Sequence, residues 1–154
     1  MKHHIPKLVY ILWLIMAFLA ITGLSGGIVM LLDPSGASLR LPRIFLMGSP
    51  FPDYLVPGIV LFVFLGVLPA LSLLGLLNIG WRWPEKLNIY NNKKWGWTFA
   101  LYVSIVLILW MDFQVWIIGY WHFLQTFYAL LGAATLIIAL LPPVIRYYRE
   151  DERY

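Results

Sequence analysis

Cysteine is the residue type that this sequence lacks altogether, since none occurs among its 154 residues. The absence excludes disulfide exchange, thiolate metal sites, haem attachment through cysteine and a cysteine nucleophile. It does not indicate a compartment, because a chain without thiols is compatible with either redox environment.

Charged residues are also scarce. They make up 12% of the chain, whereas 62% of it is hydrophobic and the mean hydropathy is +0.82. A soluble domain carries about a quarter of its residues as charged types. Since half that supply cannot form a water-exposed shell, much of the surface must face lipid. Four spans of about 20 residues each would use more than half of the length, which leaves one membrane domain and no room for a soluble catalytic domain.

Long uncharged runs predict an all-α, four-transmembrane-helix bundle that forms a single domain over residues 1–154. The predicted spans are approximately 8–32, 55–80, 98–119 and 123–141. The first run is too long for the apolar core of a cleaved signal peptide, and the small residues near its middle have the wrong spacing for a cleavage site. Pro69 lies inside the second span and is predicted to distort it, which a membrane bundle tolerates.

The connections between the spans differ in composition. The predicted external loop 33–54 contains a mixed apolar and basic stretch at 39–47, which is predicted to lie along the membrane interface. The predicted cytoplasmic loop 81–97 is polar and rich in tryptophan, as is typical of a membrane–water boundary. The link at 119–122 is so short that the last two spans must form an antiparallel hairpin, and a cytoplasmic tail follows at 142–154.

Lysine and arginine predict the orientation. Nine of them lie in the N-terminal segment, the 81–97 loop and the tail, against two in the 33–53 segment. Because positive residues accumulate on the cytoplasmic side, the sequence predicts a multi-pass protein of the cell membrane with both termini in the cytoplasm.

Histidine occurs three times, and the predicted topology separates these residues. His3 and His4 precede the first span, whereas His122 lies on the other side between the last two spans. They cannot share a haem or metal site. No phosphate-binding loop, nucleophile elbow or His-Glu-x-x-His pattern occurs, so the sequence predicts no cofactor, no metal and no catalytic residue. The net charge is +4, but the positive residues lie beside hydrophobic segments and therefore do not predict nucleic-acid binding.

Three short stretches resemble those of small four-span bacterial and archaeal integral membrane proteins of unknown function. They are GSPFPDYLVPG at residues 48–58, LLDPSG at 31–36, and Gly119 followed by LQTFY at 124–128. In that family a similar SPFPDYLVPG-type segment joins the first external loop to the second helix. The resemblance implies the four-span layout and no activity.

A group of polar residues predicts a ligand-binding pocket that opens outward. Its members are Asp112, Gln125, His122, Arg40 and Arg43, and Gln114 lies at a similar depth. Asp112 is the only acidic residue inside a predicted span and lies roughly 21 Å along the third helix, in the outer third of the apolar core. Two interpretations remain open: a desolvated carboxylate that carries a proton or anchors a ligand, and an ion-pair partner of Arg40 or Arg43. The two loop arginines favour the ion pair slightly.

Small residues recur at helix-packing spacing in three of the spans. The pairs are Gly23 and Gly27, Gly66 and Ala70, and Ala129 and Ala133. This spacing lets helix backbones approach closely. It predicts packing within one bundle more strongly than it predicts a dimer interface.

The function predicted from these features is non-enzymatic. The protein would bind a lipid-like or small apolar ligand, or support a partner membrane protein, with membrane lipids and a second copy as further partners. One alternative is a small lipid- or sterol-modifying enzyme with Asp112 as general acid or base. Another is a proton-coupled transporter subunit. Against the enzyme, Asp112 stands nearly alone in the core, without a second acid or histidine to complete a proton path.

Overall fold

The computed structural model describes residues 5–149. His3, His4 and the last five residues of the predicted tail lie outside this range. The helices are α1 (Lys7–Leu32), α2 (Ile44–Met47), α3 (Leu55–Phe62), α4 (Leu68–Leu76), α5 (Trp95–Ile118), α6 (Phe123–Leu140) and α7 (Pro142–Tyr147). Four segments are long and apolar enough to cross a membrane: α1, the combined Leu55–Leu76 helix, α5 and α6. The predicted all-α four-helix bundle is confirmed.

The second spanning helix changes its hydrogen-bond pattern halfway along. Between α3 and α4 the residues Val63–Val67 form a π turn, in which the Leu68 N–H donates to the Val63 carbonyl. Pro69 has no N–H to offer the Leu65 carbonyl four residues before it, and its ring crowds that carbonyl. The disturbance predicted from Pro69 therefore takes the form of a π turn, as is common where an α-helix accommodates an extra residue.

This helix ends at Leu76, four residues earlier than predicted. Asn78 has a φ of 64° and donates its N–H to the Gly75 carbonyl at 3.0 Å, while the Ile79 N–H donates to the Leu74 carbonyl at 3.0 Å. These two bonds and the left-handed residue form a Schellman cap. The apolar run alone could not reveal this end, because Leu77 and Ile79 beyond it are also hydrophobic.

Glycines allow close contact between two pairs of helices. A Cβ at Gly27 would lie 2.6 Å from the Phe62 Cα atom, and one at Gly23 would collide with the Leu65 carbonyl. A Cβ at Gly75 would lie 2.6 Å from the Gly96 Cα atom, which brings α4 against α5. The predicted roles of Gly23 and Gly27 in packing agree with this geometry, and on α6 the residue buried against α5 is Gly132.

The end of the bundle formed by residues 77–94 and 141–149 is called the tail end. Its centre is the fully buried Tyr148, whose hydroxyl accepts from Trp13 Nε1 at 2.7 Å and donates to the Leu76 carbonyl at 3.2 Å. Trp97 Nε1 donates to the Ala139 carbonyl at 2.8 Å. These bonds connect α1, α4, α5, α6 and the segment after α7.

The opposite end, formed by residues 33–54 and 119–122, is called the loop end. Gln125 lies in the first turn of α6 here: its Oε1 accepts from the Trp121 N–H at 2.8 Å, and its Nε2 donates to the Gly119 carbonyl at 3.3 Å. His122 Nδ1 accepts from the Leu124 N–H at 3.2 Å. The side chains of His122 and Gln125 thus form a reciprocal cap of α6, which satisfies N–H groups that the helix start leaves without partners.

Candidate functional site

A cavity of about 470 Å³ lies at the loop end. Its walls come from the end of α1, residues 39–54, the start of α3, the second half of α5 and residues 121–125. Most of the lining is aliphatic or aromatic. The volume falls in the range of about 300 to 1,000 Å³ that small-molecule sites occupy.

The loop above the cavity is held by polar contacts to its own backbone. Asp33 ends α1, where its carboxylate accepts from the Ser35 hydroxyl at 2.5 Å and from the Ser38 hydroxyl and N–H at 2.7 and 2.8 Å. These hydrogen bonds lower the pKa of Asp33 to about 2, and the bond from the Ser35 hydroxyl contributes most. They stabilise the charged form and tie the turn together.

Tyr54 joins the two ends of this loop. Its N–H donates to the Pro34 carbonyl at 2.9 Å, and its hydroxyl donates to the Pro42 carbonyl at 2.7 Å. Its ring is buried against Gly36, which has a φ of 77° and leaves no space for a Cβ there. Burial raises the pKa of the Tyr54 hydroxyl, so it remains a neutral donor. The loop therefore folds back as a cover over the helix ends.

The short helix α2 is amphipathic within a single turn. Phe45 and Leu46 line the cavity, while Ile44 and Met47 are exposed on the outside. The Phe45 ring meets the Trp121 ring edge to face, with centroids 4.9 Å apart. This aromatic pair connects the cover to the hairpin between α5 and α6, in the geometry that aromatic rings prefer.

A second cavity of about 220 Å³ continues the first one into the bundle. The two share Leu61, Gln114, Leu124 and Gln125 as lining residues. The second cavity extends along α5 as far as Leu107. The two cavities therefore adjoin between the cover and the middle of the bundle, and both linings are mostly apolar.

Most polar groups in the first cavity already have partners. Ser49 donates to the Leu46 carbonyl at 3.1 Å, and Tyr54 and Gln125 make the bonds described above. Among the described residues, the polar lining groups without a hydrogen bond inside the protein include the Arg40 guanidinium, the Gln114 amide, His122 Nε2 and the indole N–H of Trp110. The site is thus an apolar chamber with few available donors.

The structure brings together three of the five residues that the sequence suggested for a pocket. Arg40, His122 and Gln125 line the first cavity. Arg43 lines a separate recess on the loop, together with Pro34, Ser35 and Asp53. Asp112 lines neither.

Asp112 lies on the face of α5 that points away from the bundle. It falls between Leu109, which is 62% exposed, and Trp116, which is 81% exposed, and its own side chain is exposed. The cavity-lining residues Trp110, Gln114 and Ile117 occupy the other side of the same helix. The predicted grouping of Asp112 with Arg40 and Arg43 is therefore not observed. Position along the helix sets how deep a residue lies in the membrane, whereas helix packing sets the direction in which its side chain points.

Two further residues line the cavity: Gln114, which the sequence placed at the depth of the predicted pocket, and Trp110, which was not identified from the sequence. Gln114 lies between the two cavities, and Trp110 forms part of the wall. The indole Nε1–H of Trp110 is buried and finds no acceptor among residues 5–149. Such a group costs about 1 to 3 kcal/mol, and proteins keep these departures mainly at functional sites. Trp110 carried no distinguishing signal, because eight tryptophans occur in the chain.

The cavity has the features of a binding site. Its lining, as far as the described residues form it, contains no carboxylate to act as general acid or base. Within residues 5–149 no group of three or more His, Asp or Glu side chains could hold a metal ion. No protein-family model, curated protein or solved structure matches the chain.

Proposed function

We propose that the protein is a multi-pass protein of the cell membrane that binds a lipid-like or small apolar ligand in the loop-end cavity. The observation that carries the proposal is the apolar cavity of about 470 Å³ between the cover and the spanning helices. The nine-to-two distribution of lysine and arginine supports a cytoplasmic tail end and an external loop end. The layout also supports kinship with the small four-span proteins that share the SPFPDYLVPG-type segment.

Membrane location limits the forces that can retain such a ligand. An apolar molecule leaving the bilayer for the cavity gains little hydrophobic free energy, because lipid tails are as apolar as leucine. Binding must instead come from close packing along the walls and from polar groups that the lipid tails lack. The cavity with Arg40, Gln114 and His122 in its lining supplies both.

The proposal is tested by filling the cavity. Leu61 lines both cavities, whereas Leu109 is exposed on the outer face of α5. Leu61→Trp and Leu109→Trp add the same side chain inside and outside the site. Native mass spectrometry of the detergent-solubilised protein should detect a co-purified or added single-chain lipid on the wild type and on Leu109→Trp, and much less on Leu61→Trp. Equal occupancy of both variants would contradict the proposal.

A second candidate function, support of a partner membrane protein, is favoured by the outer face of α5. Ile105, Leu109 and Trp116 are exposed there, and Asp112 lies among them. A carboxylate within an apolar face is costly in lipid and is better accommodated by a partner helix with a cation or donor at the same depth. A photo-cross-linker at Leu109 should then give an adduct in native membranes that is lost on Asp112→Leu. The absence of an adduct in the wild type would contradict the candidate, and an adduct that persists in Asp112→Leu would exclude Asp112 from the contact.

A further inference from the structure

Among the described residues that line the first cavity, Arg40 is the only Lys, Arg, Asp or Glu. It follows the short 3₁₀ turn of the cover, and its side chain is exposed. Because no carboxylate among residues 5–149 shares this lining, its one charged side chain is a cation. A cationic head group would be repelled there and a neutral one would gain nothing from the charge.

The backbone of Arg40 gives no reason for arginine at this position. Its φ of 53° and ψ of 36° are left-handed, a conformation that glycine and asparagine adopt more readily than arginine. The backbone bonds around it, from Arg40 N–H to the Ala37 carbonyl and from Leu41 N–H to the Gly36 carbonyl, are both 2.9 Å and available to any residue except proline. The side chain therefore explains the choice better than the turn does.

Two further donors lie in the same lining. His122 Nδ1 accepts from the Leu124 N–H, so a neutral imidazole carries its proton on Nε2 and can donate from that atom. The Gln114 amide lies deeper, where the two cavities meet. The rest of the lining is mostly aliphatic and aromatic, and on α5 it extends from Ile118 down to Leu107, about 16 Å of helix.

We propose that the cavity holds a single-chain amphiphile with an anionic head, whose oxygens bind the Arg40 guanidinium while its chain lies along α5. This inference rests on the proposed function. The apolar chain adds little preference for the cavity over the membrane, because lipid tails solvate the chain equally well. The head group can supply this preference, because the hydrocarbon core offers no charge-assisted bond to arginine. The required chemistry is an anionic oxygen, supplied either by a carboxylate or by a phosphate monoester.

The experiment compares three probes with the same twelve-carbon chain: dodecanoate, dodecyl phosphate and dodecanol. Each is titrated into the protein in a non-ionic detergent, and binding is followed by native mass spectrometry and by the shift in melting temperature. For the wild type we expect at least one of the two anions to bind about tenfold or more tightly than the alcohol, a difference typical of one charge-assisted contact. The tighter anion identifies the head group.

Three variants test the role of Arg40. Arg40→Asn suits the left-handed backbone, so it should leave the melting temperature of the ligand-free protein unchanged or higher while reducing the preference for the anion to about one. Arg40→Lys keeps the charge but loses the bidentate geometry and should retain part of the preference. Arg43→Asn is the matched control, since Arg43 belongs to the same loop and does not line this cavity. It should keep the full preference.

The outcomes separate this inference from the proposed function. If none of the three probes binds and Leu61→Trp changes nothing, the proposed function fails. If all three bind equally and Arg40→Asn leaves their affinities unchanged, the function stands and the anionic head is overturned. A lower melting temperature of ligand-free Arg40→Asn, with equal loss of all three probes, would also overturn it, because Arg40 would then act on the fold.

Discussion

At the tail end of the bundle, aromatic side chains close the space between the helices, whereas at the loop end similar side chains line a cavity. Tyr148 and Trp97 are buried and donate to the Leu76 and Ala139 carbonyls. At the loop end Trp110 lies in the cavity wall with its buried N–H lacking an acceptor among residues 5–149. Aromatic composition is therefore compatible with either a closed or an open end; the difference observed is that the tail-end donors have backbone acceptors and the Trp110 N–H has none in the described part of the chain.

Glycines bring different pairs of helices into close contact at the two ends. Gly75 and Gly96 let α4 contact α5 near the tail end, and Ser72 Oγ bonds the Gly96 carbonyl there at 3.0 Å. Towards the loop end the close contact is between α1 and the second spanning helix, with Gly27 against Phe62 of α3 and Gly23 against Leu65 of the π turn. Because α3 packs on α1, space remains between α3 and α5, and the cover formed by residues 33–54 spans it.

Labelling should distinguish the two ends in an all-or-none manner. The chain has no cysteine, so single cysteines at Ser38, His122, Asn91 and Glu152 can be introduced directly. In intact cells a membrane-impermeant thiol reagent should modify the first two, at the loop end, and not the last two. The reason is the excess of lysine and arginine around the tail end. Labelling at Asn91 would reverse the proposed orientation.

The largest expected loss of stability follows Tyr148→Ala. Tyr148 is fully buried and connects Trp13 to Leu76, so its removal should lower the free energy of unfolding by about 3 to 5 kcal/mol. Tyr148→Phe should lose about 1 kcal/mol for the hydrogen bonds. Tyr120→Ala, at the exposed loop end, is the control and should change stability by about 0.5 kcal/mol or less. Equal effects of the two alanine variants in denaturant unfolding would remove the contrast between the ends.

Enlarging a glycine tests the close contact of α1 with α3. Gly27→Leu adds a Cβ atom only 2.6 Å from the Phe62 Cα atom, so it should cost about 1 to 3 kcal/mol or more. Gly23→Leu should behave similarly. Gly80→Leu is the control, because no heavy atom lies within 4 Å of the position that its Cβ would take. If all three variants melt at the same temperature, the glycine spacing has no part in packing.

One substitution made at both ends tests the difference in packing density. Leu12 is fully buried in the core, and Leu12→Phe should destabilise the protein by about 1 to 3 kcal/mol through overpacking. Leu61→Phe extends into the cavities and should cost less than about 1 kcal/mol. Thermal melting in detergent measures both. A larger loss for Leu61→Phe would show that the loop-end space is not available to a side chain.

The smallest effect is expected for Asp112. Its side chain is exposed on the face of α5 opposite the cavity, so Asp112→Asn should change the free energy of unfolding by about 0.5 kcal/mol or less. A double-mutant cycle with Arg40→Asn should give a coupling near zero, measured at two pH values. A coupling of about 1 kcal/mol or more would instead restore the ion pair that the sequence suggested. The same cycle with Arg43 completes the test.

Part of the cavity could be predicted from residue types in the connections. Arg40 and His122 were suggested as pocket residues because each lies in a connection assigned to the same side of the membrane, and Gln125 because it lies one turn into the last span, at a similar depth. Asp112 was included on depth alone, and the structure turns it away from the cavity. Trp110 and Gln114 lie on the same helix and face the cavity, but no periodic pattern distinguished their face, because α5 is apolar around its circumference.

The sequence by itself determined the all-α class and the existence of four spans. Hydropathy adds up residue by residue, so a long uncharged run predicts a span whatever packs against it. Only the tertiary structure decided that the helix starting at Leu55 contains a π turn, that Tyr148 seals one end, and that Arg40 and Trp110 share a cavity. Those features depend on the rotation of each helix about its own axis and on contacts between distant segments. In an apolar helix, packing against neighbours sets this rotation, and the order of residues along the chain does not specify it.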